Sequence, residues 1–499
     1  MIKKLFITSI LTISLFTITP AQYKFPYQNP NLTIDERVDD LISRMTLEEK
    51  VSQMIYNAAA IDRLEIPEYN WWNECLHGVA RNGLATVFPQ AIGLAAMWDT
   101  ELMYRIGETI SNEARAKHNI ALSQGKRGIY QGLTFWSPNI NIFRDPRWGR
   151  GMETYGEDPY LTGQLAIQFI RGLQGNDPRY LKLVATAKHF AVHSGPEPER
   201  HSFEVSVSEY DLRETYLPAF KMAVVDAKVE AIMCAYNSLY GNACCSNDPL
   251  LNNILRNEWG FKGHVVSDCW AIADIWQYHK QAKDAAEASA KAVKAGTDLN
   301  CGVSFQHLIK AVNDGLITEE ELSIPLRRLF EDRIKLGMFD PPEMVPYSRY
   351  NRAHLDTDEN KKLALEAAYK SLVLLKNENN ILPLKKEIKT IAVLGPNAND
   401  EEVLYGNYNG FPSDPVTPLE GLKRKFPDKN IIYEPGCSIA DNIYTFSIVP
   451  SNCLFTNKDK MQNGLIGEYF DNTDFLGESN FERIDENIQF NWGDNSPIK

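Results

Sequence analysis

Short apolar runs alternate with amphipathic segments from about Tyr23 to Phe339. In Glu209–Lys228, apolar residues recur at every fourth position, which predicts a helix. Alternating strands and helices indicate parallel strands that are joined by crossover connections. Four apolar runs end in polar residues: Leu183–Ala187 before Lys188 and His189, Ala231–Ala235 before Tyr236 and Asn237, His264–Ser267 before Asp268, and Ala292–Thr297 before Asp298.

The polar residues at these run ends should meet at one edge of the sheet. In a (β/α)8 barrel the carboxyl ends of the strands carry the active site, and such a barrel takes about 250 residues. A doubly wound open sheet would bring the same residues to its ligand-binding edge. We expect residues 22–345 to form the TIM-type barrel, with room for long loops.

The pattern changes after the barrel. The Pro- and Tyr-rich stretch 341–350 is typical of a linker, and we place the linker at 346–360. Beyond it, Lys361–Leu375 is predicted as a helix and Thr390–Gly395 as a buried strand followed by a turn. The alternating segment Gly464–Asp471 is typical of a half-buried strand.

The N-terminus has the pattern of a signal peptide over residues 1–21. Lys3 and Lys4 precede an apolar run, Leu5–Thr19, and small residues follow it. That run is short for a membrane anchor, which needs roughly 20 residues. We therefore expect an exported protein, periplasmic or extracellular, with no membrane span once the signal is removed.

Composition narrows the class of function. The 499 residues are 44% hydrophobic and 23% charged, the profile of a globular protein. A net charge of -13 argues against a nucleic-acid partner, because phosphate binding requires clustered Lys and Arg. No nucleotide, metal or redox-cofactor motif is present, so we expect no cofactor and no metal.

The eight cysteines are thinly spread and show no C-x-x-C pattern or Cys/His cluster for zinc. Cys234 and Cys245 are a possible disulfide pair. A chain of this size folds without disulfides, so we expect free buried thiols at most positions.

Two stretches contain candidate functional residues, each with a structural alternative. Trp71 and Trp72 beside Glu74 would suit a sugar, but a buried tryptophan pair with a surface glutamate is the simpler interpretation. Residues 143–159 contain arginines, acids and glycines in one irregular loop. An ion-pair network there could serve structure or function equally.

The strand ends carry the strongest candidates. Lys188 and His189 can donate hydrogen bonds to sugar hydroxyls, and their loop, 190–201, lacks the helical His spacing of a metal site. Asp268 could be a nucleophile, a general base or the N-cap of the following helix. Because Lys188 and His189 stand at another strand end, the strand-end position of Asp268 favours a catalytic role over a helix cap.

Several motifs follow one another along the chain: Asn73–Gly78, Arg144–Arg150, Lys188-His189, Tyr236-Asn237 and Val266–Cys269. Together they resemble glycoside hydrolase family 3, the retaining β-glycosidases, over nearly the whole mature chain. The resemblance implies that Asp268 is the nucleophile and that Tyr236 stands beside it. It implies that Glu74, Arg150, Lys188 and His189 bind the hydroxyls of the sugar, while Lys188 and Arg150 keep the nucleophile ionised.

The resemblance also implies the later domains: the beginning of an α/β sandwich domain at 361–462, and the start of an inserted β-sandwich carbohydrate-binding module of the protective-antigen type at 463–499. The family's general acid would lie beyond the insert, so we nominate none and expect the chain to end inside the module. Glu74 stands where an Asp is more usual and would crowd the hydroxymethyl group of glucose. We therefore expect an exo-acting β-xylosidase on plant-type xylo- or gluco-oligosaccharides. The alternatives are a β-glucosidase of the same family and a non-catalytic glycan-binding protein.

Overall fold

The structure is a computed structural model, and it describes residues 23–440, 448–459, 461–490 and 492. We call residues 23–371 the N-terminal region and the described residues from 372 onward the C-terminal region. The expected signal peptide, residues 1–21, lies outside the described residues. Among the residues that are described, no helix is long and apolar enough to cross a membrane.

The strands are short and occur in both regions. They are β1 (Asn57–Ala58), β2 (Tyr69–Asn70), β3 (Thr134–Phe135), β4 (Val184–Phe190), β5 (Glu204–Val205), β6 (Ala231–Cys234), β7 (Ser238–Leu239), β8 (Asn242–Ala243), β9 (His264–Ser267), β10 (Thr390–Leu394), β11 (Asn430–Glu434), β12 (Leu465–Tyr469) and β13 (Phe481–Asp485).

The helices alternate with these strands. They are α1 (Ile34–Ser43), α2 (Leu47–Gln53), α3 (Ala91–Ala95), α4 (Thr100–Ser123), α5 (Pro159–Gln174), α6 (Glu209–Asp211), α7 (Pro218–Val225), α8 (Ala271–Gln277), α9 (Ala285–Ala295), α10 (Leu308–Asn313), α11 (Glu319–Lys335), α12 (Asp358–Ser371), α13 (Glu402–Tyr405) and α14 (Pro418–Lys425), with π-helical turns at Leu212–Tyr216 and Pro249–Glu258.

A parallel sheet forms the centre of the N-terminal region. Its strand order is β3-β4-β6-β9, and single parallel bridges extend it from Val266 to Leu299 and from Asn300 to Ile55. The predicted parallel α/β arrangement is therefore confirmed. The regular eightfold barrel is supported only partly, because β2 runs antiparallel to β1 where a uniform barrel has parallel strands.

Local sequence explains where β9, the strand before Asp268, begins. A Cβ atom on Gly263 would lie 1.8 Å from the carbonyl oxygen of Glu230, so only glycine fits where the chain enters the strand. All four residues of β9 are buried, as parallel strands covered on both faces require. The predicted run His264–Ser267 coincides with this strand.

The prediction of a strand at Ala292–Thr297 is wrong. These residues form the last turn of α9 and its C-cap, where Gly296 adopts a φ of 109°. Asp284 caps the N-terminus, and the alanine-rich sequence between the caps favours a helix. The neighbour of β9 instead begins at Leu299. Short apolar runs do not distinguish a strand from a buried helix segment.

The amphipathic segment Glu209–Lys228 is helical, as predicted. Pro218 interrupts it, so α6 passes through a π-helical turn before α7 begins. Leu212, Phe220 and Val224 are buried on its apolar face.

The cysteine prediction was right for some residues and wrong for others. Cys234 pairs with Cys245 as proposed, and a second disulfide joins Cys269 to Cys301. The expected free buried thiols occur at Cys75 and Cys244, whereas the free cysteines at positions 437 and 453 are exposed. The second disulfide was missed because its partners become neighbours only when the strands pair.

The C-terminal region follows its predicted elements with little burial. The predicted helix is present as α12 but ends at Ser371. The strand at 390–394 is present as β10 and pairs in parallel with β11. It is not buried as predicted, because Val393 alone in it is buried and Leu394 is 71% exposed. The segment at 464–471 forms β12, antiparallel to β13.

Candidate active site

Asp268 follows directly on β9 at the carboxyl edge of the parallel sheet. Its backbone N–H donates to the carbonyl of Cys234 at 3.1 Å, and its Oδ1 accepts from the N–H of Cys269 at 2.8 Å. Its Oδ2 is buried and accepts no hydrogen bond from the described residues. The N-cap of α8 is Trp270, so the alternative role of Asp268 as a helix cap is wrong. A buried carboxylate oxygen without a partner marks a candidate for chemistry.

Tyr236 lies beside Asp268, as the family resemblance implies. Burial, and next the Asp268 carboxylate, raise the pKa of Tyr236. Its hydroxyl therefore stays protonated and can donate a hydrogen bond toward the carboxylate. The imidazole of His201 packs edge-on against the tyrosine ring, with 4.6 Å between the ring centroids.

Lys188, near the end of β4, forms a buried ion pair with Glu74. Its Nζ lies 3.0 Å from Oε2 and 3.3 Å from Oε1, and both side chains are 2% exposed. Burial raises the pKa of Glu74 to about 7, although the Lys188 ammonium opposes the shift. Burial lowers the pKa of Lys188, but Glu74, Tyr408 and Glu153 together outweigh burial and the net shift is upward. Lys188 thus pairs with Glu74 rather than with the candidate nucleophile.

Arg150 is the cation that links the loop at 143–159 to the strand ends. It pairs with Glu153 through two hydrogen bonds, Nε to Oε1 at 3.0 Å and Nη2 to Oε2 at 2.6 Å. Burial opposes its charge, but Glu153 and, at longer range, Asp268 raise the pKa of Arg150. The ion pair at Arg147 and Asp145 in the same loop is exposed, so only the Arg150 pair contributes to the site.

His189 is neutral and has a defined tautomer. Burial first, and then the charge of Arg150, hold the pKa of His189 well below its ordinary value. Nη1 of Arg150 donates to Nε2 of His189 at 3.0 Å, so the ring proton is on Nδ1, which donates to Oδ1 of Asn141 at 3.0 Å. Nε2 lies 3.5 Å from Oδ2 of Asp268. With no proton on Nε2, this contact is not an ion pair and leaves Oδ2 free.

A loop from the C-terminal region completes the site, and the sequence analysis missed it. The Tyr408 ring lies over the ammonium of Lys188, with 4.7 Å between Nζ and the ring centroid. Nδ2 of Asn407 donates to Oε1 of Glu153 at 3.0 Å. A Cβ atom on Gly410 would lie 2.5 Å from the Val79 carbonyl oxygen, so this glycine lets the loop approach the N-terminal region closely.

Backbone hydrogen bonds hold this loop against the N-terminal region. The N–H of Arg81 donates to the carbonyl of Asn409 at 2.8 Å, and the N–H of Ala85 donates to the carbonyl of Phe411 at 3.0 Å. The turn-forming sequence Gly406–Gly410 was the available indication, but it does not say what the loop touches.

Trp71 and Trp72 differ in burial, so the interpretation as a buried tryptophan pair holds only for Trp71. Trp71 is fully buried and packs edge-on against His264, with 5.3 Å between the ring centroids, so it belongs to the core. Trp72 is only partly buried and stacks on Trp136 at 5.4 Å. Glu74 is buried, so the alternative of a surface glutamate is wrong.

The histidines of the loop at 190–201 have separate partners. Nδ1 of His193 lies 3.2 Å from Oδ1 of Asn237, and burial lowers the pKa of His193 to about 3. Nδ1 of His201 lies 2.8 Å from Oδ2 of Asp274. Within the described ranges of the chain, no group of three or more His, Cys, Asp or Glu side chains is arranged to hold a metal ion.

Comparison with known families agrees with this α/β fold. The model of the glycosyl hydrolase family 3 N-terminal domain matches residues 34–331, and that of the family's C-terminal domain matches residues 372–489. The chain belongs to glycosyl hydrolase family 3. The C-terminal match includes β12 and β13, and an inserted module is not shown by it.

Three relatives illustrate the likeness. A xylan 1,4-beta-xylosidase of Xylanibacter ruminicola is 46% identical over 459 residues, which cover 91% of this chain and 53% of that protein. A solved family 3 exo-beta-xylosidase in complex with a xylobiose aziridine probe has a TM-score of 0.78 and 35% identity, covering 84% of this chain and 55% of that one. A solved β-glucosidase of Erythrobacter marinus has a TM-score of 0.74 and 28% identity, covering 84% and 61%. This chain spans about half the length of the xylosidase relatives.

Proposed function

We propose that this chain carries the nucleophile and the sugar-binding residues of an exo-acting, retaining β-glycosidase, most simply a β-xylosidase. The observation that carries the proposal is Oδ2 of Asp268, a buried carboxylate oxygen that has no hydrogen-bond partner among the described residues and lies at the edge of a parallel sheet. Tyr236, His189 and the Arg150 cation surround it. A carboxylate in such a place is free to attack a carbon atom instead of serving a structural ion pair.

In the proposed reaction, Oδ2 of Asp268 bonds to the anomeric carbon as the glycosidic C–O bond breaks. The departing oxygen takes a proton from a general acid, and in retaining enzymes the two carboxyl groups lie about 5–5.5 Å apart. Water then attacks the glycosyl-aspartate and gives a proton back to the conjugate base of the general acid, which releases the sugar with its configuration retained and restores the carboxylate. Glu74 and Lys188 would bind sugar hydroxyls, with Arg150 and His189 fixing the wall next to the nucleophile.

The substrate proposal rests on Glu74 and on the relatives. Glu74 is buried and is held by Lys188, so its longer side chain cannot swing away from a bulky substituent. Xylose lacks the hydroxymethyl group that such a carboxylate would crowd. The names of the xylosidase relatives support the same choice. The structural likeness to a β-glucosidase keeps glucose as the second candidate.

Covalent labelling tests the nucleophile. A 2-fluoro-xylosyl probe with a good leaving group should add one glycosyl unit to the wild-type chain, and peptide mapping should find it on Asp268. Asp268→Asn should abolish the adduct and lower kcat by about 10⁴-fold or more, as the loss of a covalent nucleophile does elsewhere. An undiminished adduct in the variant would refute the assignment. Glycan binding without any labelling of the wild type would favour the non-catalytic alternative.

A matched set of nitrophenyl substrates tests the sugar. We expect kcat/KM to be higher for the β-xyloside than for the β-glucoside or the α-arabinofuranoside. Glu74→Asp should raise the relative activity on the β-glucoside by about tenfold, since one steric clash is worth roughly 1–3 kcal/mol. A higher kcat/KM for the β-glucoside in the wild type would make the β-glucosidase the better assignment.

A carbohydrate-binding insert at 463–499 is a separate proposal. The antiparallel pair β12–β13 supports it, together with the stacking of Tyr469 on Phe481 at 4.5 Å. Trp492→Ala should reduce retention of the protein in a gel containing soluble xylan without changing cleavage of an aryl xyloside. Unchanged retention would argue against a binding module.

Export is likewise proposed. The apolar N-terminal segment supports it, as do two disulfides in the N-terminal region, since disulfides persist in oxidising compartments. Fractionation of the source cells should find the protein outside the cytoplasm. Full-length protein that retains residues 1–21 in the cytoplasm would contradict the proposal.

A further inference from the structure

We propose that the disulfide between Cys269 and Cys301 positions the Asp268 carboxylate, so that glycosyl transfer depends on the oxidised state of this bond. The inference rests on the proposed function of Asp268 as nucleophile. It concerns residues that touch the nucleophile's backbone and side chain but are not themselves expected to touch the substrate.

The side chain of Asp268 is held by the residue that forms the disulfide. The N–H of Cys269 donates to Oδ1 of Asp268 at 2.8 Å and leaves Oδ2 free. Among the described residues, it is the one hydrogen bond to a carboxylate oxygen of Asp268 that comes from a backbone N–H. The Cys269 N–H, together with Tyr236 beside the carboxylate, therefore sets which way Oδ2 points.

The Cys269 N–H lies in a turn that one local backbone hydrogen bond closes, from the N–H of Ala271 to the carbonyl of Asp268 at 3.0 Å. Trp270, the next residue, has a φ of 69° and a side chain that is 53% exposed. α8 begins at Ala271 without a side-chain cap. A left-handed residue other than glycine is strained and persists only when its surroundings hold it. The turn needs an external restraint.

Cys301 supplies that restraint from the neighbouring segment. The carbonyl of Cys301 accepts from the N–H of Trp270 at 2.7 Å, and its own N–H donates to Oγ of Ser267 at 3.0 Å. The disulfide adds a covalent link between this segment and Cys269, with 4.4 Å between the Cα atoms. Both residues that flank Asp268 in sequence are thus tied to Cys301.

The disulfide between Cys234 and Cys245 is a natural comparison. It joins the end of β6 to the short helical turn that follows β8, and the Cys234 carbonyl accepts from the backbone N–H of Asp268. This bond restrains the strand beside the nucleophile, whereas no described hydrogen bond joins either of its cysteines to the carboxylate. Its loss should affect stability more than the rate of glycosyl transfer.

The redox step is a simple exchange. A small dithiol such as dithiothreitol gives two electrons and two protons to the S–S bond, leaving Cys269 and Cys301 as thiols, and closes to its own cyclic disulfide. Reduction would release the turn and let Oδ2 move. A chain kept in a reducing compartment would then transfer glycosyl groups slowly and gain full rate where disulfides form.

The experiment compares Cys269→Ala/Cys301→Ala with Cys234→Ala/Cys245→Ala, well below their unfolding temperatures. The readouts are the rate of labelling by the fluoro-xylosyl probe and the affinity for free xylose. We expect the first variant to label about 10- to 100-fold more slowly, because a displacement of about 1 Å can cost 10²-fold in rate. Its xylose affinity should be unchanged, since Glu74 and Lys188 lie on other segments. The second variant should label at nearly the wild-type rate.

Dithiothreitol should slow labelling of the wild type, reoxidation with oxidised glutathione should restore it, and the Cys269→Ala/Cys301→Ala variant should not respond. Labelling of that variant at the wild-type rate would overturn the inference. Equal losses of labelling rate and xylose affinity would also overturn it, because they would show a general structural role. Failure of the wild type itself to label at Asp268 would instead refute the proposed function.

Discussion

The N-terminal and C-terminal regions of the chain differ in what they do with apolar side chains. In the N-terminal region a continuous cluster of buried residues extends from Tyr27 to Ala367. Among the described residues of the C-terminal region, Val393 and Leu419 are the hydrophobic side chains that are buried. Leu375, just beyond α12, is 91% exposed. A strand-like sequence therefore predicts a strand, but its burial requires a second layer that covers it.

The two regions meet at the candidate active site. The turn at 406–410 brings Asn407 and Tyr408 onto the ion pairs of the N-terminal region. The N-terminal region thus carries the candidate catalytic residues at its strand ends, while the C-terminal region supplies a cover for the buried charges. Four sets of substitutions test this division, from the largest expected effect to the smallest.

Lys188→Met should have the largest effect on stability. It leaves the buried Glu74 without its paired ammonium, and breaking a buried ion pair costs about 3–5 kcal/mol. Urea unfolding at pH 8, where Glu74 is charged, should show the loss. Lys310→Met, which removes an exposed ion pair with Asp314, is the control and should change unfolding little. Equal losses of stability in the two variants would mean that the buried ion pair stabilises the fold no more than the exposed one.

A pair of leucine substitutions tests the difference in burial directly. Leu329→Ala in α11, where the side chain is 1% exposed, should lower the free energy of unfolding by about 2–5 kcal/mol. Leu375→Ala in the C-terminal region should change it by about 0.5 kcal/mol or less. Urea denaturation of both variants provides the measurement. A large loss from Leu375→Ala would show that the exposed segment is covered in solution.

Tyr408→Ala tests the contact between the regions. Its ring covers the Lys188 ammonium, and a desolvated cation–π contact is worth up to about 2 kcal/mol. We expect the affinity for xylose, measured by calorimetry, to fall about tenfold. Tyr433→Ala is the matched control, because that hydroxyl donates to the Pro396 carbonyl within the C-terminal region. A loss of xylose affinity in Tyr433→Ala but not in Tyr408→Ala would contradict the role proposed for Tyr408.

The pH dependence of xylose binding should show the smallest effect. Burial raises the pKa of Glu74 in the N-terminal region to about 7, whereas Arg424 lowers the pKa of the exposed Asp414 in the C-terminal region. The Glu74 carboxylate is protonated as the pH falls through about 7, and an acceptor for sugar hydroxyls is lost. Affinity for xylose should therefore decrease several-fold from pH 8 to pH 6. Glu74→Gln should remove this dependence, and a persisting dependence would assign it to another group.

Much of the N-terminal region could be predicted from local pattern. The run His264–Ser267 coincides with β9, and Lys188, Tyr236 and Asp268 do meet at one edge, because parallel strands carry their carboxyl ends to the same side. Asp298 does not join them, because its Oδ2 accepts from the Val265 N–H near the start of β9. The run Ala292–Thr297 was misassigned because its composition suits a strand and the end of a helix equally. Its C-cap glycine was the distinguishing feature.

The sequence predicted several residues of the candidate site but not which of them contact one another. Asp268 and Lys188 stand out as polar residues at the ends of apolar runs. Tyr408 lies more than two hundred positions along the chain from Lys188 and follows no apolar run, so nothing local connects them. Nothing local connects Cys269 with Cys301 either, although they form a disulfide.

By itself, the sequence determined the alternation of strands and helices and the edge at which the polar residues collect, because hydrophobic periodicity is a local property of the chain. The tertiary structure decided that Lys188 serves Glu74, that His189 is neutral with its proton on Nδ1, and that Oδ2 of Asp268 has no partner among the described residues. These features depend on distances and burial between segments far apart in sequence. Coulomb energies and desolvation act through space, and only the folded arrangement sets them.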